Sequence, residues 1–438
     1  MSDVAISLKG TKEIIYSDNL ILKKGIWLYF FLLLFEGALR KWVLPSLSAP
    51  LLIVRDPIAI WLIYTAWKRD LIPYSSFLIS MVFTAMLSLV TTFLAGHGNL
   101  FVAIYGARIL VLHFPLIFII GNVFSRKDVV QIGKIMLYFS VPMTVLIALQ
   151  FYSPQSAWVN RGVGGDMDGA GFSGAMGYFR PPGTFSFTTG NTMFYALLGA
   201  YIFYFFLERK RVNTWILILS AISLFIAIPL SISRTLLFQV IIAFLFACIA
   251  GVINRKFSGR ILTTVILLIV ALSIVSTTEV FQKSTEVFTT RIESASKFEG
   301  GIEGTLLDRY LGGLLGALNH STSQNLPFFG HGMGLGTNAG SMILTGGVSF
   351  LIAEEEWGRL VGEMGILFGL AVIFIRLGLC FSLAIKSHNE LVKGSPLAWM
   401  LLSIGLLIIP QGQWAQPTAL GFGVLVGGLI MASLNTSK

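Results

Sequence analysis

Cysteine is nearly missing: the chain has two, Cys248 and Cys380, far apart and both within apolar runs. That excludes a disulfide framework and offers no metal cluster. Charge is the second shortage. Only 12% of the 438 residues are charged, whereas a soluble domain carries about 25%. Acidic residues are the scarcer sign, 21 against 31 basic ones, for a formal charge of +10. Strict alternation of apolar and polar residues is lacking as well, which argues against a β-barrel. No repeat of solenoid period and no low-complexity segment occurs. The first apolar run begins near Gly25 with no small-residue cleavage pattern behind it, so it is expected as a retained helix.

What is present is grease. Hydrophobic residues make up 55% of the chain, and mean hydropathy is +0.80. Repeated apolar runs of about 20 residues define an all-α polytopic membrane protein, because helices satisfy their own backbone in lipid. Length and flanks predict about 12 transmembrane helices, at 24–43, 50–67, 74–95, 99–123, 128–152, 186–207, 212–231, 235–253, 259–277, 359–385, 396–411 and 416–434.

In this arrangement Lys23-Lys24, Lys68-Arg69, Arg126-Lys127, Glu208-Arg209-Lys210-Arg211, Arg255-Lys256 with Arg260, and Lys386 with Lys393 share one side. Positive-inside topology makes that side the cytoplasm and places both termini there. It also accounts for the positive charge without a nucleic-acid partner. The chain then divides into about five helices over 1–152, a first outer loop at 153–185, about four helices over 186–277, a large outer loop at 278–358, and about three helices over 359–438.

The first outer loop is rich in glycine and holds Arg161, Asp166, Asp168 and Arg180. It fits a mobile flap, a backbone that approaches a ligand closely, or a plain connector. Asp166-Met167-Asp168 matches a metal-binding pair only over two residues, and no metal is assigned to it. In the second loop, apolar residues from Leu306 to Leu318 fall at helical spacing and predict an amphipathic helix, with Asp308 and Arg309 near its start. The turn Phe329-Gly330-His331-Gly332-Met333-Gly334-Leu335-Gly336 follows. It can bring backbone N–H groups near an anion, but it lacks the lysine and strand context of a P-loop. Three acids, Glu354-Glu355-Glu356, precede re-entry into the membrane through Arg359 and Glu363.

Charges inside spans are costly and draw suspicion of function. Glu36 and Arg40 are spaced to pair on one helix face, and Arg55 and Asp56 open the second span. Arg108 needs a partner or a wet cavity, and His113 reads as a hydrogen-bonded core residue. Arg376 sits deep in the tenth span with no evident role. Arg234 stands at the outer start of the eighth span, where a guanidinium and a helix N-terminus together suit an anion, with interfacial snorkelling as the plainer reading. Outer arginines (Arg161, Arg180, Arg234, Arg291, Arg309, Arg359) run against the positive-inside trend, and arginine suits bidentate phosphate binding. A partly buried glutamate among Glu354, Glu355 and Glu356 could take a proton from an acceptor hydroxyl; a solvated acidic rim is the plainer reading.

The order of motifs resembles the O-antigen polymerase and O-antigen ligase superfamily of bacterial envelope glycosyltransferases. It runs from Arg180-Pro181-Pro182-Gly183-Thr184-Phe185 through Ser231-Ile232-Ser233-Arg234 to Pro327-Phe328-Phe329-Gly330-His331-Gly332-Met333-Gly334 and Glu363-Met364-Gly365. The likeness covers roughly 175–385. It implies an undecaprenyl-diphosphate-linked oligosaccharide as donor, used at the periplasmic face of the inner membrane without nucleotide, metal or other cofactor. It implies diphosphate binding by Arg180 and Arg234, with Arg291, Arg309 and Arg359 as further candidates. It also leaves room for a chain-length regulator and a flippase as partners.

Many members of that superfamily carry a His-Asn pair about nine residues before the closing acid, whereas Glu354-Glu355 stands there in this chain. Either a glutamate of 354–356 serves as base, or His331 or His320 comes in from the loop. A polysaccharide polymerase is the first expectation. A ligase transferring glycan to lipid A core or protein is the near alternative, and a secondary transporter of lipid-linked sugars the distant one. The transporter reading lacks matching halves.

Overall fold

The computed structural model describes residues 2–260, 266, 269–270, 273, 276–298, 327–347, 351–353 and 355–435. Helices dominate. They are α1 (Ser2–Ala38), α2 (Ser48–Leu51), α3 (Arg55–Trp67), α4 (Ser76–Leu94), α5 (Leu100–Arg108), α6 (Phe114–Val123) and α7 (Arg126–Tyr152). A hairpin of β1 (Phe172–Ser173) and β2 (Phe179–Arg180) follows, with Phe172 paired to Arg180. Then come α8 (Thr188–Leu207), α9 (Thr214–Leu230), α10 (Arg234–Ile253), α11 (Glu279–Phe298), α12 (Asn338–Thr345), α13 (Glu356–Val392), α14 (Leu397–Gln411) and α15 (Pro417–Leu434).

Among the described residues, eight helical stretches are long and apolar enough to cross a membrane. α9 and α14 are apolar but shorter. The run through α1 carries Glu36, Arg40 and Lys41, which makes it less uniformly apolar. Most of 259–277, and the amphipathic stretch 305–318, lie outside the described residues.

Sequence explains the helix ends. Ser125 caps α7 in a reciprocal box with Asp128. Asn99, Asn213 and Ser233 each accept a backbone N–H at the starts of α5, α9 and α10. Pro417 opens α15, where its missing N–H costs nothing. Every residue of α8 but Thr189 is buried, so it forms the middle of the bundle with α15. α3 is at the rim: Ile60, Trp61, Tyr64 and Trp67 are exposed, while Ala59, Leu62 and Ala66 face the bundle.

The two ends of the bundle differ. At one end Lys23 pairs with Asp128 at 2.6 Å, Lys256 with Glu208 at 3.2 Å, and Arg260 donates to the Leu207 carbonyl. At the other end the first outer loop is tied down. Gly164 N–H donates to the Arg40 carbonyl, and Gly171 N–H to Gln155. Buried Lys41 donates to the carbonyls of Gly183 (2.7 Å) and Phe185 (2.8 Å). These bonds tie the loop's backbone to the bundle, which speaks against the mobile-flap reading.

One expectation changes. The interval 359–385 is not a single straight crossing. Gly365 has φ 74° and ψ 173° and breaks α13. Glu356 and Arg376, which a straight helix would hold about 30 Å apart, touch at 2.6 Å. The segment before Gly365 therefore doubles back along the segment after it. Glycine is required at the bend: a Cβ there would collide with the Phe328 carbonyl and the Phe329 backbone.

Candidate functional site

A cavity of about 510 Å³ opens at the end of the bundle away from the basic loops. Its walls are the β1–β2 hairpin, the N-terminal turns of α8, α10 and α13, the end of α14, and the turn from α14 to α15. Arg180, Glu355 and Glu356 line it together.

The three glutamates part company here. Glu356 is buried, 3% exposed. Its Oε1 accepts from Arg376 (2.6 Å) and Arg359 (2.9 Å), and its Oε2 accepts from Arg359 Nε at 3.1 Å. Two guanidinium groups occupy both of its oxygens, so its carboxylate is committed to the protein's own ion pairs. Glu355 is exposed at the N-cap of α13. Among the described residues its carboxylate makes no hydrogen bond or ion pair, which leaves it available as a base. Glu354 lies outside the described residues.

Arg359, a candidate diphosphate ligand from sequence, is engaged elsewhere. It is 3% exposed, and it bonds Glu356 and, at 2.8 Å, Glu363. The spacings of three and four residues put all three charges on one helix face. Arg376 is the neighbour that sequence reading left without a role. It is fully buried and donates to Glu356, to the Ile409 carbonyl (2.7 Å) and to the Gly412 carbonyl (2.9 Å), with its guanidinium 3.8 Å from the Trp414 ring. Burying an unpaired cation costs several kcal/mol. Three hydrogen-bonded partners and a desolvated cation–π contact of about 2 kcal/mol offset it. The result is a rigid floor under Glu355.

The glycine-rich turn does bind an anion, but the anion is the protein's own. Gly336 N–H donates to Glu363 Oε1 at 2.9 Å, and Gly332 N–H to the Glu363 carbonyl. His331 N–H donates to the Gly362 carbonyl, Met333 N–H to Thr92, and the His97 ring contacts the Met333 carbonyl at 3.0 Å. The turn clasps α4 to α13. The His331 side chain is exposed and is not part of the cavity wall.

Arg180 is half-buried on β2, 5.9 Å from the Phe172 ring, and lines the cavity. Arg234 opens α10 between Ser233 and Thr235, which both line it, while Arg234 itself does not. Ile232, two residues earlier, has φ 47°, an uncommon backbone for a β-branched residue. Arg291 on α11 reaches the Gly174 carbonyl of the hairpin at 3.5 Å. Arg309 lies outside the described residues.

Sequence reading also missed the glutamines. Gln411, Gln413 and Gln416 line the cavity from the α14–α15 turn, and Gln239 from α10. The signal was visible as Pro410-Gln411-Gly412-Gln413-Trp414-Ala415-Gln416-Pro417, three amides in a break between apolar runs.

A second polar group lies deeper, among α1, α3, α5 and α6. Asp56 accepts from Arg108 through both oxygens (2.7 Å each) and contacts His113 Nε2 at 2.9 Å. Tyr29 contacts His113 Nδ1 at 3.2 Å. Glu36 pairs with Arg40 at 3.2 Å, as its spacing suggested, and with Arg55 at 3.5 Å. Two π-helical turns, Leu39–Val43 and Ile109–His113, flank this group and aim its side chains inward.

Fold and site define an all-α, multi-pass membrane protein with a polar cavity sunk into one end of its helical bundle. The chain matches no protein-family model and no curated protein.

Proposed function

We propose that the chain is a lipid-diphosphate-dependent glycosyltransferase of the O-antigen polymerase and ligase type, and specifically a polymerase. The observation that carries this reading is Arg180 and Glu355, the latter unpaired among the described residues, in one cavity wall at the end opposite the basic loops. In this reading the chain crosses a bacterial inner membrane twelve times, with both termini cytoplasmic and the cavity facing the periplasm.

The chemistry follows from those two groups. A sugar hydroxyl of one lipid-linked repeat unit attacks the anomeric carbon of an undecaprenyl-diphosphate-linked donor. The bond from that carbon to the phosphate oxygen breaks, and its electron pair leaves on the diphosphate. Glu355 accepts the hydroxyl proton, and Arg180 stabilises the departing charge. Arg234, flanked by the lining residues Ser233 and Thr235, and Arg291, bonded to the hairpin, are the further diphosphate ligands in this reading. Glu356, Arg359, Glu363 and Arg376 hold the start of α13 still, so that Glu355 stays in place.

The deep network of Asp56, Arg108 and His113 favours a second reading, a transporter of lipid-linked sugars. His113 stands 13 residues beyond Leu100, about 20 Å along the helix, which is a depth at which transporters keep functional charges. Purified protein given an undecaprenyl-diphosphate oligosaccharide, without nucleotide sugar or metal, separates these readings. A ladder on a gel with release of lipid diphosphate supports the polymerase. Release only with added core acceptor means a ligase. Transbilayer movement in vesicles without release sinks the enzyme reading.

A further inference from the structure

Part of the cavity wall carries chemistry that a diphosphate does not use. Gln239 is 7% exposed and Thr188 3% exposed, and both line the cavity. Among the described residues, Gln239 Oε1 and Thr188 Oγ1 are buried with no hydrogen-bond partner. Buried polar atoms are ordinarily satisfied, so two orphans in one cavity wall point to a ligand that supplies the missing bonds.

The chemistry of that ligand is narrow. Gln239 Oε1 is an acceptor, and it repels phosphate oxygens, which are acceptors too. It needs an O–H or amide N–H donor. The hydroxyl of Thr188 can give or take a hydrogen bond. Neighbouring Thr192 and Ser233 already bond each other at 3.1 Å, and Gln416 donates to Gln413 at 2.8 Å, so that part of the wall is uncharged and pre-ordered. Aromatic faces complete it. Phe187 meets Phe172 edge-on at 5.5 Å, and the Trp357 ring is held by its N–H donating to the Pro410 carbonyl. Neutral amides and hydroxyls beside fixed aromatic rings suit a sugar ring, whose hydroxyls bond and whose C–H face packs on the rings.

We infer that this wall is a binding subsite for a neutral sugar, with Gln239 and Thr188 as the contacts that select its hydroxyl groups. Calling that sugar the acceptor rests on the glycosyltransferase reading above; the subsite itself does not. Exposed Glu355 at the rim adds repulsion against an acidic sugar.

The test uses full-length protein in lipid nanodiscs and saturation-transfer NMR with glucose, galactose, rhamnose, N-acetylglucosamine and galacturonic acid. Binding of undecaprenyl diphosphate is measured in parallel. At least one neutral sugar should bind, and galacturonic acid at least tenfold more weakly. Gln239→Leu, which removes the amide, and Thr188→Val, which removes the hydroxyl, should each weaken that sugar tenfold or more and leave lipid-diphosphate binding within twofold. Should Gln239→Leu fail to fold, Thr188→Val alone is decisive.

The inference is overturned if no neutral sugar binds, if galacturonic acid binds equally well, or if a folded variant binds sugar as the parent does. Sugar binding without any lipid-diphosphate binding would leave the subsite standing and remove the glycosyltransferase reading. Lipid-diphosphate binding without sugar binding would do the reverse.

Discussion

Arg376 donates to Glu356 at 2.6 Å across a bend that brings residues twenty positions apart into contact. That contact separates the two adjacent glutamates at the cavity by role. Glu356 closes a buried ion-pair set, and Glu355 is left facing the cavity.

Glu355→Gln should therefore abolish polymer formation with little change in thermal unfolding. Glu356→Gln should act through the fold, because it leaves Arg376 and Arg359 short of a counter-charge. Breaking a buried pair from one side costs roughly 3–5 kcal/mol. Melting in detergent followed by a gel assay distinguishes them. Full activity in Glu355→Gln would end its assignment as base.

Arg180 and Arg359 make the parallel contrast among the arginines. Arg180→Ala should slow turnover by about 10²–10³-fold, the usual cost of removing one charge-stabilising donor, in a protein that still elutes as a single species. Arg180→Lys should recover part of the rate, since a point charge remains without the bidentate fork. Arg359→Ala should instead lower expression and melting temperature before any kinetic effect can be read.

Gly365→Ala tests the bend. The new methyl would enter the Phe328 and Phe329 backbone at a positive φ. Strain of this kind costs about 1–3 kcal/mol. Limited proteolysis should then cut near 328–336 sooner than in the parent. Parent-like protection would show that the clasp does not depend on this glycine.

Lys41→Met keeps the buried stem and removes the ammonium that holds the Gly183 and Phe185 carbonyls. Amide exchange across 183–186 should quicken about tenfold or more, since two hydrogen bonds of about 1 kcal/mol each are lost. An unchanged exchange pattern would mean that Gln150, which accepts from Gly183 N–H at 2.8 Å, suffices to hold this turn.

The membrane class was legible in hydropathy, because about 20 apolar residues in a row have few other uses. The Glu36–Arg40 pairing was legible from spacing alone. The bend at Gly365 was not: Glu356 to Val392 reads as unbroken helix, and one residue's positive φ leaves no mark on apolar periodicity. Nor could sequence sort Glu355 from Glu356, since adjacent residues differ there only in which side meets Arg376. The role of Arg376 depends on carbonyls freed at the end of α14, a tertiary fact. Arginine count suggested a ring of phosphate ligands; burial assigns Arg359 to the scaffold.

α14 runs only from Leu397 to Gln411, about 22 Å of helix, against a hydrocarbon layer of about 30 Å. In the twelve-crossing arrangement proposed above, its amide-rich end would fall short of the outer headgroups, and thinning of the leaflet beside the cavity is one way such a mismatch is met. Such a dimple would draw water and lipid headgroups down toward Gln411 and Gln416. A glycan anchored by a polyprenyl tail could then enter sideways from the leaflet, with its tail still in lipid, and would not have to be lifted out of the bilayer to react.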